Sequence, residues 1–150
     1  MRIQSLQSYS DASSNTVKAK VVAREHTYAD LDLFFAANPV TGDMNPVRDV
    51  EAIKRSVRNL ILTNYNERPF QPEVGSAIRG LLFEPADIIT IHEIEQEISR
   101  TLNNFEPRIR VLSVDVVDNS DSNEYTVNIE FQILATEQVG SSTLILERLR

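Results

Sequence analysis

The apolar positions change their period along the chain, and each period predicts an element. Tyr28-Ala29-Asp30-Leu31-Asp32-Leu33-Phe34-Phe35 alternates for several residues, the mark of a short strand. Asn38-Pro39-Val40-Thr41-Gly42-Asp43 is a turn cluster. Val50, Ile53, Val57, Leu60 and Ile61 then recur at helical spacing, which predicts a helix through about Asn64. Asn45 reads as its N-cap and Pro46 as its first residue, with Asp49 and Glu51 toward the positive end of the dipole. A short helix is expected over 76–82, stopped near Pro85. Ile91, Ile94, Ile98, Leu102 and Phe105 predict a third helix to about Asn104, and Thr90-Ile91-His92-Glu93 reads as its capping box.

After Pro107 the period falls to two. Ile109–Val117 is a β-branched run, and Asn119–Asn123 is a turn. Tyr125, Val127, Ile129, Phe131, Ile133 and Ala135 alternate with polar neighbours, the strongest strand pattern in the chain. A last strand is expected over 143–149, after a turn near Gly140. Helices followed by strands imply an α+β fold, three helices on a small antiparallel sheet. Residues 1–27, rich in Ser, Gln and Asn, form an expected extended arm, or one disordered until a partner binds. The domain proper is expected over 28–150.

Charge changes this picture more than bulk composition does. Over 150 residues, 15 Lys and Arg stand against 22 Asp and Glu, a formal net charge of −7. Residues 84–137 alone hold 12 acidic side chains against Arg100, Arg108 and Arg110, while residues 1–27 are net +2. A nucleic-acid binder needs a basic face to neutralise phosphates, so the acidic block argues against that class. No apolar run approaches a membrane span of roughly 18 residues, and no secretory signal is visible. With 0 cysteines there is no disulfide framework and no thiolate chemistry.

Catalytic signatures are absent. There is no Walker A loop, GxGxxG, HExxH, EF-hand loop or GxSxG elbow. His92 and Glu95 lie one turn apart, but a solvated acidic helix face explains them without a metal. His26 falls in the polar arm and is expected to be exposed. A glycoside hydrolase needs only two carboxylates, and Glu67, Glu73, Glu84 and Glu106 sit at loops or element ends. Nothing marks one of them as desolvated enough to serve as the acid.

Two loops depart from the regular pattern. Arg68-Pro69-Phe70-Gln71-Pro72-Glu73-Val74-Gly75 cannot be a regular helix, and Gly75 permits a positive φ. In Glu106-Pro107-Arg108, the proline forces Glu106 out of the α region and ends the third helix. Residues two apart in extended chain project to one side, so Glu106 and Arg108 form a fork beside a helix C-terminus that disfavours an anion. The fork reads equally as a functional position and as an internal Glu–Arg pair.

Asn104-Phe105-Glu106-Pro107-Arg108-Ile109 leading into a strand resembles the Glu-Pro-Arg signature of the gene-25-like baseplate wedge family. Arg68 to Gly75 resembles that family's upstream loop, and Leu82-Phe83-Glu84 its sequel. The resemblance runs from about Asp49 to Leu134. It implies a structural, non-enzymatic subunit of a contractile phage tail, located in the virion baseplate, with no cofactor and no metal. The implied partners are the core bundle of larger wedge proteins and the tail sheath subunit, the latter through strand exchange at a sheet edge. It further implies partner-binding roles for Glu106, Pro107, Arg108, Arg68, Phe70, Pro72 and Gly75. A lysozyme-like peptidoglycan hydrolase is the alternative.

Overall fold

The central strand shows how sequence makes this fold. In β4 (Glu124–Ile133) the odd-numbered residues Tyr125 to Ile133 are all buried, and the even-numbered ones are not. It pairs on one side with β3 (Ile109–Asn119) and on the other with β5 (Val139–Glu147), both antiparallel. The computed structural model describes residues 28–32, 36–119 and 121–148. Among these, β3 and β5 are the edges of the sheet. The buried face of the sheet carries α1 (Asp49–Leu62) and α3 (Ile88–Phe105), with α2 (Ile78–Leu81) at one end. The result is α+β, as the order of periods predicts.

The helices bury the stripes read from their spacing. Ile53, Val57, Leu60 and Ile61 of α1 face Ile94, Ile98 and Leu102 of α3 in one core. Each such side chain contributes about 1.5–3 kcal/mol by leaving water. Ile145 and Val139 lie on the outer face of β5 and are exposed, whereas Leu144 and Leu146 point inward. The last strand thus has apolar residues on both faces, and only one face is covered.

Four local expectations are corrected. Pro46–Arg48 is not the start of α1 but strand β2, paired with β1 (Ala29–Leu31) in a two-stranded ribbon. The helix begins at Asp49, whose φ of +50° turns the chain, and Arg48 rather than Asn45 is its N-cap. A long-range ladder outweighs the local capping signal there. Helix α3 starts earlier than its expected capping box: Asp87 is the cap and accepts from the Thr90 amide at 2.8 Å. Thr90 is instead buried, its hydroxyl donating to the Pro85 carbonyl. Gly140 lies inside β5 opposite Phe131, not in a turn, and a Cβ there would meet the Phe131 ring at 2.9 Å.

Strand β3 also changes parity midway. Between Val111 and Ser113 the register shifts, so Ile109 faces the core before the break and Val116 after it. Leu112, the inserted residue, is left 51% exposed on an edge strand. The arm over 1–27, His26 within it, and Leu33–Phe35 of the expected first strand lie outside the described residues.

Candidate interaction site

The Glu106–Arg108 fork closes inward. Glu106 caps α3, its amide bonded to the Leu102 carbonyl, and Pro107 carries the chain into β3. Arg108 donates to Glu106 twice, Nε to Oε1 at 2.6 Å and Nη2 to Oε2 at 2.8 Å. Ser56 of α1 donates its hydroxyl to Glu106 Oε2 at 2.5 Å. Glu106 is only 2% exposed. Burial pushes its carboxyl up, but Arg108 and Ser56 outweigh that and hold it below the usual carboxylate range. The same pairing raises the Arg108 guanidinium, with Asp30 adding to it. The unfavourable anion at the helix C-terminus is thereby neutralised, and α1, α3 and β3 meet at one ionic knot.

Arg108 then reaches outward. Its Nη1 donates to Asp30 Oδ2 at 3.2 Å, and its guanidinium lies 5.5 Å from the centre of the Tyr28 ring. Arg55 of α1 pairs with Asp32 two residues further along. Arg55 of α1 therefore meets an acid from the N-terminal side of the chain.

The second loop is fastened at its base and free at its tip. Ser76 donates its amide to the Thr63 carbonyl at 2.8 Å and its hydroxyl to the Ile61 carbonyl at 2.8 Å. Gly75 has a φ of +147°, and a Cβ there would fall 2.7 Å from the Asn64 carbonyl carbon. Only glycine lets the two backbones approach so closely. Glu97 of α3 accepts from the Ala77 amide at 2.8 Å and from the Tyr65 hydroxyl at 3.2 Å, and pairs with Arg100. Burial opposes its ionisation, but these donors hold its carboxyl below the usual range.

From this base Phe70 projects fully exposed, at a φ of +70° that is rare for an aromatic residue. Arg68 and Pro72 are exposed beside it. A cleft of about 510 Å³ joins the two motifs, walled by Arg68 and Gln71 of the loop, Arg55 and Ser56 of α1, and Asp30 and Leu31 of β1.

Of the residues singled out from sequence, Arg68, Phe70, Pro72 and Pro107 are exposed, Arg108 is part-exposed, and Glu106 and Gly75 are buried. Glu106 and Gly75 thus present almost no surface to a partner in this structure. Sequence reading missed Ser56, Asp30 and Glu97. Ser56 was legible as a hydroxyl beside the apolar stripe of α1; the Asp30 contact, 78 positions from Arg108, carried no local signal. His92 is exposed and contacts Glu95 and Gln96. Among the described residues no three His, Cys, Asp or Glu side chains are grouped to hold a metal. No described helix is long and apolar enough to cross a membrane.

Residues 47–138 match the family described as "Baseplate wedge protein gp25". The baseplate wedge protein gp25 of Enterobacteria phage T4 is 33% identical over 92 residues, covering 61% of this chain and 70% of that protein. A Geobacter sulfurreducens protein provisionally described as a tail lysozyme superposes with a TM-score of 0.63 at 26% identity, over 67% of this chain and 91% of its own. A chain of the anti-feeding prophage baseplate shares the fold, with a TM-score of 0.57 at 17% identity over 82% of this chain and 87% of that one. The fork and the fastened loop both lie within the matched residues, and this chain belongs to the baseplate wedge protein gp25 family.

Proposed function

We propose that this protein is a structural subunit of the baseplate wedge in a contractile tail. The observation that carries the reading is the match of residues 47–138, which build the fork and the loop, to the baseplate wedge family, beside 33% identity to the T4 wedge protein over 92 residues. The subunit docks through the rigid, exposed tip at Arg68, Phe70 and Pro72 against the core bundle of larger wedge proteins. Exposed aromatics and arginines on a fixed scaffold are the usual anchors of an interface. Glu106 and Arg108 act one layer behind, holding α1, α3 and β3 in the geometry that presents the tip. Assembly takes place in the host cytoplasm.

The sheet offers the second contact. Edge strand β5 carries exposed Val139 and Ile145, and an open edge supplies backbone hydrogen bonds to an added strand. A sheath strand pairing there would start the sheath. Co-expression with the larger wedge proteins, followed by sizing, tests the reading: a stable complex supports it, and a monomer that ignores those proteins refutes it.

The described geometry gives little support to a peptidoglycan hydrolase. A general acid needs a raised pKa, whereas Glu106 is lowered and ion-paired. Glu67, Glu73 and Glu84 are exposed. Cleavage of peptidoglycan by the purified protein at acidic or neutral pH would reverse this assignment.

A further inference from the structure

We propose that the β5 edge selects the strand it receives through three neighbouring positions. The added strand carries an apolar residue opposite Ile145, a large apolar residue opposite Leu146 and a lysine or arginine opposite Glu147. The pairing itself rests on the strand-addition reading of β5 above; the side-chain pattern goes beyond it.

The backbone fixes which residues of β5 meet that strand. Arg148 donates its amide to the Asn123 carbonyl at 2.9 Å, and Ile133 donates its amide to the Gln138 carbonyl at 2.8 Å. Both bonds turn the even-numbered residues of β5 toward β4. In an antiparallel ladder the alternate residues turn their N–H and C=O groups the other way. Val139, Ser141, Thr143, Ile145 and Glu147 therefore direct theirs to the open edge, where no further strand pairs among the described residues. Side chains alternate with the same period. A residue added opposite Leu146 thus faces the helices, and residues added opposite Ile145 and Glu147 face outward.

A groove borders this edge on the helical side. Ile61 and Leu62 at the end of α1, Ile78 and Leu82 at α2, and Leu146 of β5 wall a space of about 310 Å³. A side chain opposite Leu146 enters that space, and one the size of leucine would cover Leu62, which is 48% exposed. On the outer face Val117, Thr126 and Ile145 form one cross-strand row. Ile145 ends the row 62% exposed, and an apolar neighbour opposite it extends the row by one favourable pair.

The next row supplies the charge. Glu147 stands directly opposite Glu124 on the outer face, and like charges in that position repel. Neither carboxylate has a salt bridge among the described residues. A lysine or arginine added opposite Glu147 offsets the repulsion, whereas an acid there would set three carboxylates in a row. Backbone bonds to an edge are blind to sequence, and side-chain pockets make strand addition selective. The groove and the glutamate pair are such features, side by side at the end of β5.

The test uses the full chain and fluorescein-labelled peptides with a threonine–valine frame around Val-Leu-Lys, made in both chain orders. The wild type should bind one order about tenfold more tightly than its counterpart with alanine for leucine. It should bind that order about threefold more tightly than the counterpart with glutamate for lysine. Glu147→Lys, which also removes the repulsion from Glu124, should reverse the lysine–glutamate preference. Thr143→Pro deletes one edge donor without breaking a ladder bond to β4, losing only an exposed side-chain bond to Asn128. It should weaken every peptide. Equal binding of the leucine and alanine peptides overturns the groove contact, and a preference that Glu147→Lys fails to reverse overturns the charge contact; in both cases pairing at the edge stands. No binding of any peptide by the wild type, or undiminished binding by Thr143→Pro, overturns pairing at β5 itself.

Discussion

Arg108 grips Glu106, two residues before it, with two nitrogen donors at 2.6 and 2.8 Å. The proline between them fixes the spacing, and the pair closes the end of α3 over the Ser56 hydroxyl. A signature that reads from sequence equally as a functional position and as an internal pair is therefore mostly an internal brace. In the wedge role proposed above, its contribution to assembly is indirect, through the position of everything attached to it.

The brace makes stability depend on pH with a definite sign. Glu106 is lowered in the folded state, so its pairing contributes fully above the unfolded carboxylate range, about pH 4.3. The contribution is lost as pH falls through the lower folded value. Removing one partner of a buried pair costs about 3–5 kcal/mol, and Glu106→Gln, which keeps the shape, should cost about 2. Chemical denaturation at neutral pH should show the full difference from wild type, and at pH 3 a smaller one. A difference that grows on acidification would contradict the assignment.

Gly75→Ala should destabilise by about 3 kcal/mol or more, because the new methyl group meets backbone that cannot swing aside. Gly140→Ala meets only the edge of the Phe131 ring and should cost about 1–3 kcal/mol. Urea midpoints of the two variants give the order directly; a harmless Gly75→Ala would mean that the loop base is not pinned.

Tyr125 supplies the opposite case. It is fully buried, its hydroxyl has no hydrogen-bond partner among the described residues, and burial pushes its pKa up. Tyr125→Phe removes an unsatisfied polar atom and keeps the ring, so the variant should be at least as stable, by up to about 1 kcal/mol. A loss of more than 1 kcal/mol in thermal melts would reveal a partner for the hydroxyl.

Phe70 separates stability from assembly. Its left-handed backbone costs about 1 kcal/mol for a residue with a side chain, and the exposed ring returns nothing within the monomer. Phe70→Gly should raise the melting temperature by a few degrees while weakening capture by the wedge proteins. A rise in melting temperature with undiminished capture would remove Phe70 from the interface.

Sequence reading and structure agree where a single element decides the outcome. The alternation of β4 and the stripes of α1 and α3 each bury against one core, so period alone identifies them. Disagreement arises where two distant segments compete for the same residues. Asn45 and Pro46 are good helix starters, yet Pro46–Arg48 is held by Ala29–Leu31, a pairing no local pattern contains. Gly140 looks like a turn until the Phe131 ring opposite it is known. The spacing of Glu106 and Arg108 was legible because proline fixes it. Burial of the fork was not, since it depends on Ser56, 50 positions earlier.

The central claim is that an exposed, fastened loop docks this subunit into the baseplate wedge while the buried fork only supports it. The most direct measurement is the mass of the complex formed on co-expression with the larger wedge proteins, for the wild type and for Arg68→Ala/Phe70→Ala. The wild type should co-elute as a stable heteromeric complex, and the double variant, still folded by circular dichroism, should elute alone. A double variant that assembles as fully as the wild type would contradict the account.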